Sequence, residues 1–416
     1  MPLTAESLIA KATEQTGLDD FDLPDALEVP TLEPTNPGAT IPTATATPAA
    51  PTSAAIQSPW RQALDTLLHS ATAESHLNPT GEFMLEAQLE TYLRNRLLVL
   101  DWARSHPHIG DSPIVSPVFI TGHGRTGTTL LSYLLDQDPA IRSLMGWEAS
   151  NPMPPPRTET FANDPRIEAM AQNQEYLSQA RPEMKTIHWE APNGPTECVT
   201  LLAQAARSML FETLWNLPSY GEWYPNQPQH DAYHYHKIAL QVLQSEAPGR
   251  WVLKSPHHSI ALPEIFHTYP DARIILTHRD PATSLGSVLN LITTFTKYTS
   301  DHDWSNYIRT RWLKVWQMIV QRMEDAQTAQ PDRFLNIAYA DMIEDPMRTA
   351  QHIYEWLSWE MTDETRRSMQ NWLDDNPQGK HGRHSYRLGD FGYTPEYAQK
   401  LFGDYIAAHN IPPESR

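Results

Sequence analysis

Apolar residues recur at helical spacing from Trp60 through Leu64, Leu67 and Leu68, and again through Leu85, Leu89, Leu93, Leu97 and Leu98. Asn78 to Glu82 interrupts the pattern, so the spacing predicts two helices joined by a turn. The pattern then changes kind. Pro117-Val118-Phe119-Ile120-Thr121 is a short run of β-formers, Gly122 to Gly127 is a glycine loop, and Thr128 to Leu135 is helical again. Arg250 to Lys254 reads as a second strand, Ser259 to His267 as a helix, and Arg273 to Thr277 as a third strand. That strand runs into Asp280-Pro281, an N-cap followed by proline at the first helical position. Phe334 to Ala338 and Asp341 to Trp356 give one more strand and one more helix. Strands alternating with helices predict an α/β fold, a P-loop-like parallel sheet flanked by helices. Helical segments near 163–181, 195–207, 229–246 and 304–327 are insertions expected to wall the carboxyl edge of that sheet.

Ahead of this region the composition shifts. No basic residue falls between Lys11 and Arg61, and Pro30, Pro34, Pro37, Pro42, Pro48 and Pro51 lie among Thr and Ala. Such a stretch has too little apolar surface to offset chain entropy. Residues 1–58 therefore read as an acidic, then Pro/Thr/Ala-rich tail, largely disordered, with one short helix possible over 3–17. Residues 59–416 read as one domain, with a helical extension over 59–110 and a nucleotide-binding and catalytic core over 115–395.

With 31 Lys plus Arg against 50 Asp plus Glu, the net charge is −19, which argues against nucleic acid and anionic lipid as partners. An anionic ligand then needs a local basic pocket. The single cysteine, Cys198, forms no internal disulfide, and no apolar run approaches the roughly 18 residues of a membrane span, so a cytoplasmic protein is expected. His234 with His236, and His257 with His258, lack metal-ligand spacing, so no metal site is expected.

Gly122-His123-Gly124-Arg125-Thr126-Gly127-Thr128-Thr129 sits between strand and helix, where backbone N–H groups and the helix dipole hold anions. The position that carries lysine in an ATP-binding P-loop is Thr128, and no strand ends in a carboxylate suited to magnesium. A cation appears instead at Arg125. Arg279 ends a strand and Ser287 lies two turns into the next helix, so the two can grip a further phosphate; taken singly, a surface ion pair and a solvated position explain them as well.

These motifs, with Asp138-Pro139, Leu253-Lys254-Ser255-Pro256 and Tyr339 ahead of Asp341, resemble the sulfotransferase family that uses 3′-phosphoadenosine 5′-phosphosulfate (PAPS). The likeness runs from about 115 to 395. The loop arginine resembles the tyrosylprotein branch and its bacterial relatives, since the cytosolic steroid and phenol enzymes carry lysine there. The resemblance implies that Arg125, Thr126, Gly127, Thr128 and Thr129 hold the 5′-phosphosulfate end, that Arg279 and Ser287 hold the 3′-phosphate, and that Tyr339 lies near the nucleotide. It implies sulfuryl transfer from PAPS to a hydroxyl or amine on a small-molecule acceptor, with PAP (3′-phosphoadenosine 5′-phosphate) as product. Two departures stand out: the tyrosylprotein branch has another arginine where this chain has Leu291, and only Gly379-Lys380-His381-Gly382-Arg383 could replace the cytosolic family's basic clamp.

Sulfuryl transfer through a loose in-line transition state needs alignment, charge neutralisation and a base. Arg125 and Lys254 are the expected charge stabilisers. Glu148 and His257 compete as the base, with Glu148 favoured because its placement after the loop resembles the same branch. A salt bridge to an arginine is the structural alternative for Glu148, and helix capping for His257 and His258. Glu197, at a helix start, is a further carboxylate. Trp215, Tyr220, Trp223, Tyr224, Tyr233 and Tyr235 either line an acceptor pocket or pack helices. The rival functional classes are a P-loop kinase or NTPase, opposed by Thr128, and a non-catalytic binding protein with a decayed nucleotide site, opposed by the joint presence of Arg125, Lys254, Arg279 and Ser287.

Overall fold

The structure, a computed structural model, describes residues 3–24, 58–180, 190–377 and 388–414. Five parallel strands form one sheet: β1 (Val118–Gly122), β2 (Ile141–Ser143), β3 (Arg250–Lys254), β4 (Arg273–His278) and β5 (Phe334–Ala338), in the spatial order β2-β3-β1-β4-β5. The strands read as continuous apolar runs because helices cover both faces. Their side chains alternate between two cores, as the pleat requires. Val118, Ile120, Val252, Ile275, Leu335 and Ile337 face one side, against Leu131, Met342 and Tyr354. Phe119, Leu253, Ile274, Leu276 and Phe334 face the other, against the inserted helices.

Register fixes what meets at the carboxyl edge. Ile120 of β1 is opposite Lys254 of β3, and Gly122 is opposite Thr277 of β4. The segments that leave β1, β3 and β4 therefore start side by side.

The inserted helices at Pro165–Ala180, Val199–Gln204, Met209–Trp215, His230–Gln244 and Ser305–Ala329 occupy the segments expected for them, with the 195–207 segment extended by a second short helix. Two helices differ from expectation. The stretch from Pro256 begins as a 3-10 turn and becomes α-helical only at Leu262–Thr268. The helix expected over 341–356 is broken at Asp345-Pro346, where the Asp345 carboxylate accepts from the Arg348 N–H at 2.9 Å and starts a new helix.

The helical extension consists of α1 (Ala5–Thr16), α2 (Pro59–Ala73) and α3 (Pro79–Ser105). α1 is docked: Leu8 and Ala12 are buried and Lys11 pairs with Glu86 and Glu90 of α3. Phe21 stacks on Trp60 at 5.0 Å and its carbonyl accepts from Arg96 Nε at 2.8 Å. The acidic start of the chain is thus partly bound to the body. The Pro/Thr/Ala-rich stretch at 25–57 lies outside the described residues, as does 379–383. Between α2 and α3, Asn78 caps the Gly81 N–H at 2.9 Å. A side chain at Gly81 would meet the Thr299 carbonyl at 2.2 Å, so glycine lets α3 abut the end of the Pro281–Thr299 helix. Among the described residues, no helix is long and apolar enough to cross a membrane.

Candidate active site

The loop after β1 turns into helix α4 (Thr128–Leu135) at Gly127, which has φ 87°. That left-handed φ strains any residue with a side chain, and a Cβ there would also lie 3.0 Å from Tyr339 and displace the Met342 methyl, so the turn favours glycine. Arg125 is held at φ 69°, an uncommon conformation for a residue with a side chain, and its Nε donates to Ser287 Oγ at 3.1 Å. Gly124, Arg125, Gly127, Thr128 and Thr129 line a cleft of about 430 Å³ at the carboxyl edge of the sheet. Thr126 does not follow its neighbours. Its hydroxyl points inward to Thr277 Oγ1 at 2.6 Å, and Thr277 in turn donates to the Thr121 carbonyl, so Thr126 braces β1 against β4 and offers a ligand only its backbone.

Arg279, just beyond β4, donates Nη1 to the Arg125 carbonyl at 2.8 Å and lies 4.0 Å above the Tyr339 ring. Its Nε and Nη2 form a fork with the Glu414 carboxylate at 2.6 and 2.7 Å. The following helix starts as expected, with Asp280 accepting from the Ala282 N–H at 3.1 Å. Ser287 faces Arg125 on the first loop, so the two expected anion sites are bonded into one basic patch. Arg125, Arg279 and Tyr339 all line the cleft.

The reacting side differs more from expectation. Glu148 does follow β2, but it is fully buried and outside the cleft. Both its oxygens are taken by Arg142, at 2.8 and 2.5 Å, and it also accepts from the Met145 N–H at 2.8 Å. Arg142 itself is packed against the Trp251 and Phe161 rings. The salt-bridge alternative therefore describes Glu148, and it is removed from the candidates for the base. Lys254 reaches the carboxyl edge without lining the cleft. Its ammonium is buried 3.1 Å from Glu197 and 3.9 Å from Glu190, and those two carboxylates form the wall.

His257 does line the cleft. Burial pushes its imidazole down to about 4, with Glu197 opposing, and its Nδ1 has no hydrogen-bond partner among the described residues. The 3-10 turn that carries it is capped by Ser255, whose hydroxyl accepts from the His257 N–H at 3.2 Å. His258, its neighbour, points away and pairs Nδ1 with the Tyr233 hydroxyl at 2.8 Å. Tyr220, Tyr224, Tyr233 and Tyr235 are buried core residues, so helix packing accounts for that aromatic cluster. Among the described residues, no group of three or more His, Cys, Asp or Glu is placed to hold a metal ion. Sequence reasoning missed Glu414, Glu190 and the apolar cleft wall; for the wall, Leu291 was the available signal.

Residues 117–363 match the model described as the sulfotransferase family. The sulfotransferase STF9 from Mycobacterium avium superposes with a TM-score of 0.85 at 31% identity, over 99% of this chain and 98% of that one. STF1 from Mycobacterium tuberculosis H37Rv gives 0.79 at 30% identity, over 97% and 99%. The omega-hydroxy-beta-dihydromenaquinone-9 sulfotransferase Stf3 of Mycobacterium bovis is 24% identical over 248 residues, 58% of this chain. The match spans 62% of that relative, less than two thirds of its length.

Glu148→Gln tests the structural reading of that carboxylate. It leaves the Arg142 charge buried and unpaired, so denaturant unfolding should show a loss of about 3 kcal/mol. Turnover per folded molecule should stay within roughly twofold. Unchanged stability with turnover down about a hundredfold would instead return Glu148 to the reacting centre.

Proposed function

The chain belongs to the sulfotransferase family, and on that footing we propose that it moves a sulfuryl group from PAPS to a hydroxyl or amine on a small-molecule acceptor, releasing PAP. The observation that carries this reading is the single basic patch made by Arg125, Arg279 and Ser287 beside Tyr339, at the edge of a sheet whose β1 loop has threonine where ATP-binding loops have lysine. In this reading the loop N–H groups, the start of α4 and Arg125 hold the 5′-phosphosulfate, and Arg279 with Ser287 reads the 3′-phosphate.

His257 is the proposed base. The acceptor oxygen or nitrogen forms a bond to sulfur while the sulfur–oxygen bond to the phosphate breaks. The electron pair of that bond stays on the phosphate oxygen, where Arg125 offsets its charge. The acceptor proton passes to the neutral imidazole. A base held near 4 accepts that proton only as the transition state collapses and the acceptor turns strongly acidic, which suits a loose transition state. Lys254 acts one layer back. By neutralising Glu197 and Glu190, it keeps two wall carboxylates from repelling a polyanionic donor. The reading gives no step to a metal ion.

His257→Ala should lower PAPS-dependent turnover by roughly a hundredfold or more, with PAP affinity nearly unchanged by calorimetry. In the wild type the histidine works in its neutral form and its pKa is depressed to about 4. Initial rates should therefore hold on the acid side well below pH 6.5 and fall as pH drops toward 4. An active His257→Ala, together with an inactive Glu197→Gln that still binds PAP, would move the base to Glu197.

A further inference from the structure

We infer that the acceptor is an alcohol on an apolar body, with its carbon skeleton running away from His257 between three helices. This rests on the transferase reading of the same cleft. Beyond the sheet edge, the cleft is walled by Met209 and Leu214 of the Met209–Trp215 helix, Leu291 and Phe295 of the Pro281–Thr299 helix, and Trp312 and Ile319 of the Ser305–Ala329 helix. Leu291 and Phe295 are half-buried and open to the space. The polar lining comes from the sheet edge instead: the β1 loop, Glu190, Thr196, Glu197 and His257. Thr200 and Thr213 also line the cleft, and the Thr213 hydroxyl donates to the Met209 carbonyl at 2.9 Å, which leaves it only acceptor capacity toward a ligand. A sugar placed there would lose water from several hydroxyls and meet few polar groups, chiefly the Thr213 oxygen and the Trp312 indole N–H, which is buried with no hydrogen-bond partner among the described residues; a peptide would do the same with its amides. A hydrocarbon chain loses nothing and gains from each buried methylene.

The test compares hexanol, octanol, decanol and dodecanol with a disaccharide and a tyrosine-containing peptide, using PAPS as donor and mass detection of the sulfated product, with PAP binding measured in parallel. Along the alcohol series kcat/KM should rise by up to about fourfold per methylene until the cleft is filled. Phe295→Gln, a neutral polar change farther along the same wall, should flatten that rise while PAP affinity stays within about twofold. The wild-type series stands on its own if the variant fails to fold. PAP binding together with preferred sulfation of the sugar or peptide, or with no sulfation of any alcohol, overturns the acceptor class and leaves the transferase reading intact. Loss of PAP binding in the wild type overturns both.

A separate observation concerns the chain's last described residues. The geometry points to Glu414 as a built-in occupant of the 3′-phosphate subsite, one that competes with the donor for Arg279. The carboxylate makes the same two-pronged contact with the guanidinium that a phosphate makes. The tail is held nearby: Tyr405 bonds His278 of β4 at 2.8 Å and Ile411 is buried. That tether gives the carboxylate a high local concentration at Arg279. The subsite then opens only when a ligand with a 3′-phosphate displaces Glu414. Glu414→Gln and Glu414→Ala should each tighten PAP binding about tenfold, while binding of AMP, which lacks the 3′-phosphate, stays unchanged. Equal or weaker PAP binding in both variants overturns the competition. Failure of every form to bind PAP overturns the nucleotide reading itself.

Discussion

One guanidinium organises the carboxyl edge of this sheet. Arg279 bonds the Arg125 carbonyl with Nη1, lies over Tyr339, and is forked by Glu414. Its own carbonyl accepts from His123 Nε2 at 3.1 Å. These contacts are possible because β1 and β4 are neighbours in register, with Gly122 opposite Thr277, so the two motifs leave the sheet side by side. Arg125, bent into a left-handed conformation, closes the brace by reaching Ser287. A chain with a net charge of −19 thereby concentrates fixed positive charge at one place.

The carboxylates around this edge divide by burial and partner. Glu148 is sealed in with Arg142 and holds β2 to the short helix that follows it, which makes it part of the scaffold. Glu197 and Glu190 form the cleft wall with Lys254 behind them. Asp138, in the Asp138-Pro139 pair, accepts from the Tyr354 hydroxyl at 2.6 Å and ties the end of α4 to a helix on the same face. His257 also lines this cleft, and burial lowers its imidazole pKa to about 4. The inserted helices supply a wall of different chemistry, so the cleft runs from a polar, partly basic sheet edge to an apolar surface.

Much of the fold was legible because four of the strands are apolar runs bounded by clear breaks, and because Asp280-Pro281 marks a helix start. β2 leaves no mark in the apolar pattern, since three residues carry no periodicity. The break at Asp345-Pro346 was written in the sequence and outweighed by the apolar pattern around it. At the site, backbone-level readings fared better than side-chain ones. The glycine loop and the pairing of Arg279 with Ser287 follow from spacing, whereas the bonds that join Arg125 to both do not. The inward turn of Thr126, and the choice between Glu148 and His257, depend on which way a side chain points at the end of a strand. Spacing and resemblance do not encode that direction. Glu414 sits 135 residues from the arginine it meets, with no motif to mark it.

The central claim is that this basic patch recognises a 3′-phosphorylated adenine nucleotide without help from a divalent metal. Calorimetry of the full chain with PAP and with AMP, in the presence of a chelator, tests it most directly. A charge-assisted fork to the 3′-phosphate should make PAP bind at least about tenfold more tightly than AMP, whether or not magnesium is restored. Equal affinities for the two nucleotides, or tight binding that appears only with magnesium and ATP, would contradict the account.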